Sequence, residues 1–86
     1  MSAPKLEYFY FESCPFCQMV MQVIDRHGIK VEYCDILASK EYLNKLVSDT
    51  GRRTVPCLYI DGKPMHESRD IMAWLEANLD NLEKTG

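Results

Sequence analysis

Two cysteines separated by a proline and a phenylalanine, Cys14-Pro15-Phe16-Cys17, are the residues of this chain best suited to do chemistry. A Cys-x-x-Cys pair beside a strand-helix-strand pattern supports thiol-disulfide exchange. One thiolate attacks a substrate disulfide, and the second thiol then displaces the substrate from the mixed disulfide. Pro15 suits the first position of a helix, where its missing N–H would have no helical partner. At such a helix start the unpaired N–H groups and the positive end of the dipole stabilise a thiolate, and more thiolate means faster attack. Cys14 stands ahead of the first turn, whereas Cys17 shares a helical stripe with Val20 and Ile24. The phase therefore predicts an exposed, attacking Cys14 and a buried, resolving Cys17, with an external thiol closing the cycle.

Other uses of the four cysteines are weaker. A zinc site would need Cys34 and Cys57, or His66, beside the pair, but these are single residues in predicted strands and form no second paired knuckle. An inert disulfide requires an oxidising compartment. The apolar stretch after Met1-Ser2-Ala3-Pro4-Lys5 is too short for a leader or a membrane span. A soluble, cytoplasmic protein is the expectation, with no membrane partner. Cys34 and Cys57 read as small buried strand residues, although Cys57 follows a proline and would be open to regulatory oxidation if it lay near the site. The net charge is -3, and ten Lys and Arg are scattered rather than gathered into a stripe. This argues against a nucleic-acid partner.

The elements that must position the pair follow from pattern. At 86 residues the chain has the size of one domain, 1-86. Lys5 to Phe11 is aromatic and apolar on both alternating faces, as in a central strand. The helix from Pro15 carries Met19, Val20, Val23 and Ile24 on one stripe and stops at Gly28. Ile29 to Ile36 reads as a second strand. Ser39 to Asp49 carries Tyr42, Leu43, Leu46 and Val47 at helical spacing before Gly51. Pro56 to Ile60, the hairpin signal Asp61-Gly62 and Lys63 to His66 form an antiparallel pair. Ser68 is then placed to cap a closing helix bearing Ile71, Met72, Trp74, Leu75, Leu79 and Leu82. The order βαβαββα predicts an α/β fold, a four-stranded mixed sheet flanked by three helices, which is the thioredoxin-fold pattern.

Cys14-Pro15-Phe16-Cys17, Thr54-Val55-Pro56 and an acidic residue opening the last helix together resemble the glutaredoxins over essentially the whole chain. The resemblance implies a glutathione-dependent disulfide oxidoreductase with Cys14 as nucleophile and Cys17 as resolving thiol. It needs no tightly bound cofactor and no metal, and uses glutathione as reductant. Its partners would be glutathione and disulfide-containing or glutathionylated proteins, and the protein would be a monomer. The resemblance further implies that Pro56 is cis, that the Val55 backbone pairs with the cysteine part of glutathione, and that Pro15, Phe16 and Thr54 help form the binding site. His66-Glu67-Ser68-Arg69-Asp70 departs from the family's usual Gly-Gly pair at this position. Glu67-Ser68 instead resembles the glutathione transferase N-terminal domain, where such a pair holds the γ-glutamyl end of glutathione. By that resemblance Glu67 and Ser68 take this role, with Asp70 beside them; capping is the plainer use of Ser68 and Asp70. Phe11 stands where many glutaredoxins have a lysine, which leaves Arg52 and Arg53 as candidates for the glycine carboxylate, with Arg53 expected to take it.

Two alternatives remain at this level. One is a glutathione-ligated iron-sulfur cluster, although members specialised for it usually have Gly-Phe-Ser after a single cysteine where this chain has Cys17. The other is a glutathione-transferase-like binding module, for whose second, helical domain 86 residues leave no room. Thioredoxins, the enzymatic rival, typically carry Gly-Pro between the cysteines and run longer.

Overall fold

The computed structural model describes residues 3–85; of the N-terminal stretch read above for a leader, Met1 and Ser2 lie outside it, as does Gly86. The elements run β1 (Leu6–Tyr10), α1 (Pro15–His27), β2 (Glu32–Asp35), α2 (Lys40–Thr50), β3 (Cys57–Ile60), β4 (Lys63–His66) and α3 (Ser68–Ala77), then a short 3-10 turn over Leu79–Asn81. The sheet order is β2-β1-β3-β4. β1 lies parallel to β2 and antiparallel to β3, and β3 pairs antiparallel with β4. This is the expected mixed sheet with β1 in its interior.

Alternation along β1 divides the core between the two faces of the sheet. Leu6 and Tyr8 point to the side covered by α1 and α3, where they meet Val20, Val23, Ile24, Leu58, Ile71 and Leu75. Phe9 points to the α2 side, packed with Cys34, Ile36, Leu46, Cys57 and Tyr59. Both faces of β1 are thus buried, which explains its aromatic run. Gly28 closes α1 in the left-handed conformation at φ 62. Asp61 and Gly62, at φ 50 and 84, both take the positive φ that a type I′ hairpin turn requires.

Several boundaries depart from the sequence expectation. β2 begins at Glu32 rather than Ile29, because Ile29 leaves the sheet and forms an isolated bridge with Lys84. Its buried side chain still packs beneath α1 and α3. Met19 (46%) and Val47 (38%) are exposed, so each apolar stripe is narrower than its spacing suggested. α3 stops at Ala77, and Leu82 reaches the core from beyond the 3-10 turn. No helix among the described residues is long and apolar enough to cross a membrane.

α2 is tied to the sheet by a polar clasp at its last turn. The buried Tyr59 donates from its hydroxyl to Asp49 Oδ2 at 2.9 Å, and Lys45 Nζ lies 3.2 Å from the same oxygen and over the Tyr59 ring. Both partners hold the Asp49 carboxyl below its ordinary range. A carboxylate depressed by folding adds stability above its unfolded pKa and loses it as pH falls through the lower, folded value. Replacing Tyr59 with Phe is therefore expected to lower the melting temperature at neutral pH. The gap from wild type should close as the solution is acidified through the carboxylate range, and melts at a series of pH values check this.

Candidate active site

β1 delivers the chain to the α1 start, and three hydrogen bonds shape the junction. Cys14 N–H donates to the Phe11 carbonyl at 3.2 Å, Gln18 Nε2 donates to the Glu12 carbonyl at 2.7 Å, and Gln18 N–H closes the first helical bond on the Cys14 carbonyl at 3.0 Å. Cys14 is the N-cap, with extended backbone at φ -84 and ψ 113, and Pro15 follows inside the first turn. The Cys14 Sγ accepts from the Cys17 backbone N–H at 3.3 Å. The sulfur thus takes the place of a capping oxygen and satisfies an N–H that the helix leaves without a partner.

This capping corrects the expectation of an exposed Cys14. Drawn back onto the first turn, the residue is only 6% exposed, while Cys17 is fully buried as expected. Burial, then a hydrogen bond with Cys14, pushes the Cys17 thiol up to about 12, only partly offset by a backbone contact at Phe11 and by Tyr8. Cys17 is therefore a neutral thiol at physiological pH. All four cysteines are free thiols. Cys34 and Cys57 flank Phe9 across the sheet on the α2 face, away from the α1 side, so the four do not gather as a zinc site would require. Both are fully buried. Burial pushes Cys34 up to about 11 and Cys57 up to about 12, which argues against Cys57 as an oxidation sensor in the folded state.

Beside the α1 start runs a groove of about 240 Å³ lined by Phe16, Thr54, Val55, Pro56, Glu67 and Ser68. Three separate segments meet there: the first turn of α1, the loop before β3, and the β4–α3 junction. The Val55–Pro56 bond is cis. Phe16 is 60% exposed and forms an apolar wall. Two larger depressions, of about 310 and 410 Å³, surround Ala3, Pro4 and Glu83 and include no residue of the α1 start. They lie away from the reactive sulfurs.

The remaining sequence candidates distribute unevenly. Pro15, Arg53 and Asp70 do not line the groove. Arg52 and Arg53 are both exposed, and the Arg52 charge reaches Cys57 and His66. Ser68 is the first residue of α3 rather than its cap. The cap is Glu67, at φ 73 and ψ 113 with no side-chain capping bond. A non-glycine residue held at positive φ costs of order 1–3 kcal/mol, a strain found mostly where function requires it. Burial and the Arg52 charge push the His66 imidazole down, and its Nε2 has no hydrogen-bond partner among the described residues. Sequence reasoning missed Gln18, which pins the loop ahead of Cys14, and Tyr8, whose hydroxyl donates to the Cys17 carbonyl at 2.9 Å. Neither position carries a motif signal.

Comparison with known proteins agrees with this arrangement. Residues 6–65 match the glutaredoxin family model. A probable glutaredoxin of Synechocystis is 30% identical over 71 residues, covering 80% of both chains. The chloroplastic glutaredoxin-C4 of rice is 35% identical over 63 residues, which is 70% of this chain but 47% of the relative, so the chain spans about half of that protein. Among solved structures, a wheat glutaredoxin superposes with a TM-score of 0.72 at 26% identity, covering 93% of this chain and 83% of its own. A buckwheat glutaredoxin in complex with glutathione gives a TM-score of 0.67 at 21% identity, with 93% and 83% covered. Taken with the mixed sheet and the Cys14–Cys17 helix start, these matches show that the chain has the thioredoxin fold and belongs to the glutaredoxin family.

Proposed function

We propose that this protein is a glutathione-dependent thiol-disulfide oxidoreductase that uses Cys14 as nucleophile and Cys17 as resolving thiol. The observation that carries the reading is the Cys14 sulfur held at the α1 N-terminus by the Cys17 N–H, beside a groove walled by Phe16, Pro56 and Ser68. A sulfur in that position has a backbone donor ready for the negative charge it carries as a thiolate. The narrow access left by its 6% exposure favours a disulfide presented along the groove.

The chemistry is two successive exchanges. The Cys14 thiolate attacks the glutathione sulfur of a glutathionylated protein; the Cys14–glutathione bond forms, the substrate's S–S bond breaks, and the protein leaves as a thiolate. A second glutathione thiolate then attacks the bound glutathione sulfur, releasing oxidised glutathione and restoring Cys14. With a protein disulfide, Cys17 instead attacks Cys14 and frees the second substrate thiol, and glutathione later reduces the Cys14–Cys17 bond. In the groove, the Val55 backbone pairs with the cysteinyl part of glutathione. The N–H groups at the start of α3 face its γ-glutamyl carboxylate, and the Glu67 carboxylate takes its ammonium. The buckwheat complex supports this choice of ligand. A reducing, cytoplasmic setting suits the four free thiols.

Turnover of a small glutathione mixed disulfide, coupled to glutathione reductase and NADPH, tests the roles. Cys14→Ser is expected to fall to the uncatalysed background. Cys17→Ser should keep this turnover but lose reduction of protein disulfides, and a wild type inactive in the coupled assay would refute the glutathione reading. The strained cap gives a second test. Glu67→Gly relieves the positive φ and should raise stability by about 1 kcal/mol, while removing the carboxylate should raise the KM for glutathione about tenfold, the worth of a charged hydrogen bond. Thermal melts and steady-state kinetics read the two effects separately.

A further inference from the structure

Tyr8 is fully buried in the middle of β1, yet its hydroxyl leaves the aromatic core and reaches α1. The ring is held in place by stacking on Tyr10 at 5.7 Å and by an edge contact with Tyr33 at 6.2 Å. From that position the hydroxyl donates to the Cys17 carbonyl oxygen at 2.9 Å, and its presence there opposes the rise that burial imposes on the Cys17 thiol. The ionisable groups facing Cys17 are Tyr8 from β1 and Cys14 from the helix cap, and Tyr33 from β2 faces Tyr8. Burial, followed by the neighbouring Cys17, pushes the Tyr8 hydroxyl far above its ordinary range. It keeps its proton and acts as a donor, never as a base.

The resolving step has a difficulty that this hydroxyl answers. Cys17 must become a thiolate to attack Cys14, but it is fully buried and its charged form is disfavoured there. Resting on the Cys14–Cys17 exchange set out above, we propose that Tyr8 is a positioning residue for resolution: its hydroxyl turns from the Cys17 carbonyl to the Cys17 sulfur as that sulfur loses its proton, and holds the thiolate while it attacks Cys14. The Cys17 proton passes to water. The Cys17–Cys14 bond forms as the bond between Cys14 and the substrate sulfur breaks, and the departing thiolate takes a proton from water. Tyr8 ends as it began, protonated and donating to the carbonyl.

A single-turnover experiment with an aromatic disulfide that releases a coloured thiolate separates the steps. One equivalent is released when Cys14 attacks and a second when Cys17 displaces the adduct, so Cys17→Ser shows the first phase alone. In Tyr8→Phe, which keeps the ring and loses the hydroxyl, the first phase should be unchanged. The second should slow about tenfold at neutral pH, with its rate–pH profile moved up by about one unit, the worth of a hydrogen bond to a charged sulfur. Tyr33→Phe, which removes a hydroxyl from the same cluster, should leave both phases as in wild type. An unchanged second phase in Tyr8→Phe would overturn the proposal. So would parallel slowing of both phases with no shift of the profile, which marks a general packing defect. Two wild-type phases without glutathione-linked turnover would sink the glutathione reading while leaving this one standing.

Discussion

The hydrogen bond from the Cys17 N–H to the Cys14 sulfur is the interaction on which the site depends, because it requires a helix to begin at one fixed residue. A shift of one position would carry the sulfur away from the unpaired N–H groups and turn Cys17 off the buried stripe. The surroundings hold that start from several directions. The Phe11 carbonyl takes the Cys14 N–H, Gln18 pins the preceding loop through the Glu12 carbonyl, and Val20, Val23 and Ile24 fix the rotation of α1 against the sheet.

The opposite wall of the groove is built by a different part of the chain, joined to the first through the sheet and through the packing of α3 on α1. β3 pairs Cys57 with Phe9 of β1 and so fixes Pro56, the residue just before it, and β4 returns to start α3 at the groove's rim. The α2 clasp through Tyr59 and Asp49 steadies the face of β3 that points away from the groove. Glu67 is the conspicuous cost in this wall, since glycine would occupy its φ without strain. In the proposed function the Glu67 carboxylate takes the ammonium of glutathione.

Features set by local chemistry were legible in the sequence. Pro15 and Gly28 bracket α1, Asp61-Gly62 makes the hairpin, and the aromatic run of β1 marks a strand buried on both faces. Six of the residues expected around the ligand, from Phe16 to Ser68, do line one groove. What was not legible depends on partners distant in sequence. Ile29 leaves β2 for a bridge to Lys84, and Met19 and Val47 fall outside their helix contacts because apolar spacing does not show how wide a face the sheet covers. The burial of Cys14 follows from its own sulfur capping the helix, an option that ranking cap residues by their oxygens does not offer. Tyr8 was hidden for a related reason: alternation identifies it as a core ring but cannot reveal that its hydroxyl meets a carbonyl nine residues later.

The central claim, that Cys14 receives glutathione at this helix start, is tested most directly by mapping where glutathione attaches. Cys17→Ser protein would be incubated with oxidised glutathione under native conditions, digested without reductant, and its adducts located by mass spectrometry. The account predicts one glutathione per chain, on Cys14, with Cys34 and Cys57 unmodified in their buried positions. An unmodified Cys14, or an adduct carried by Cys34 or Cys57 in the folded protein, would contradict it.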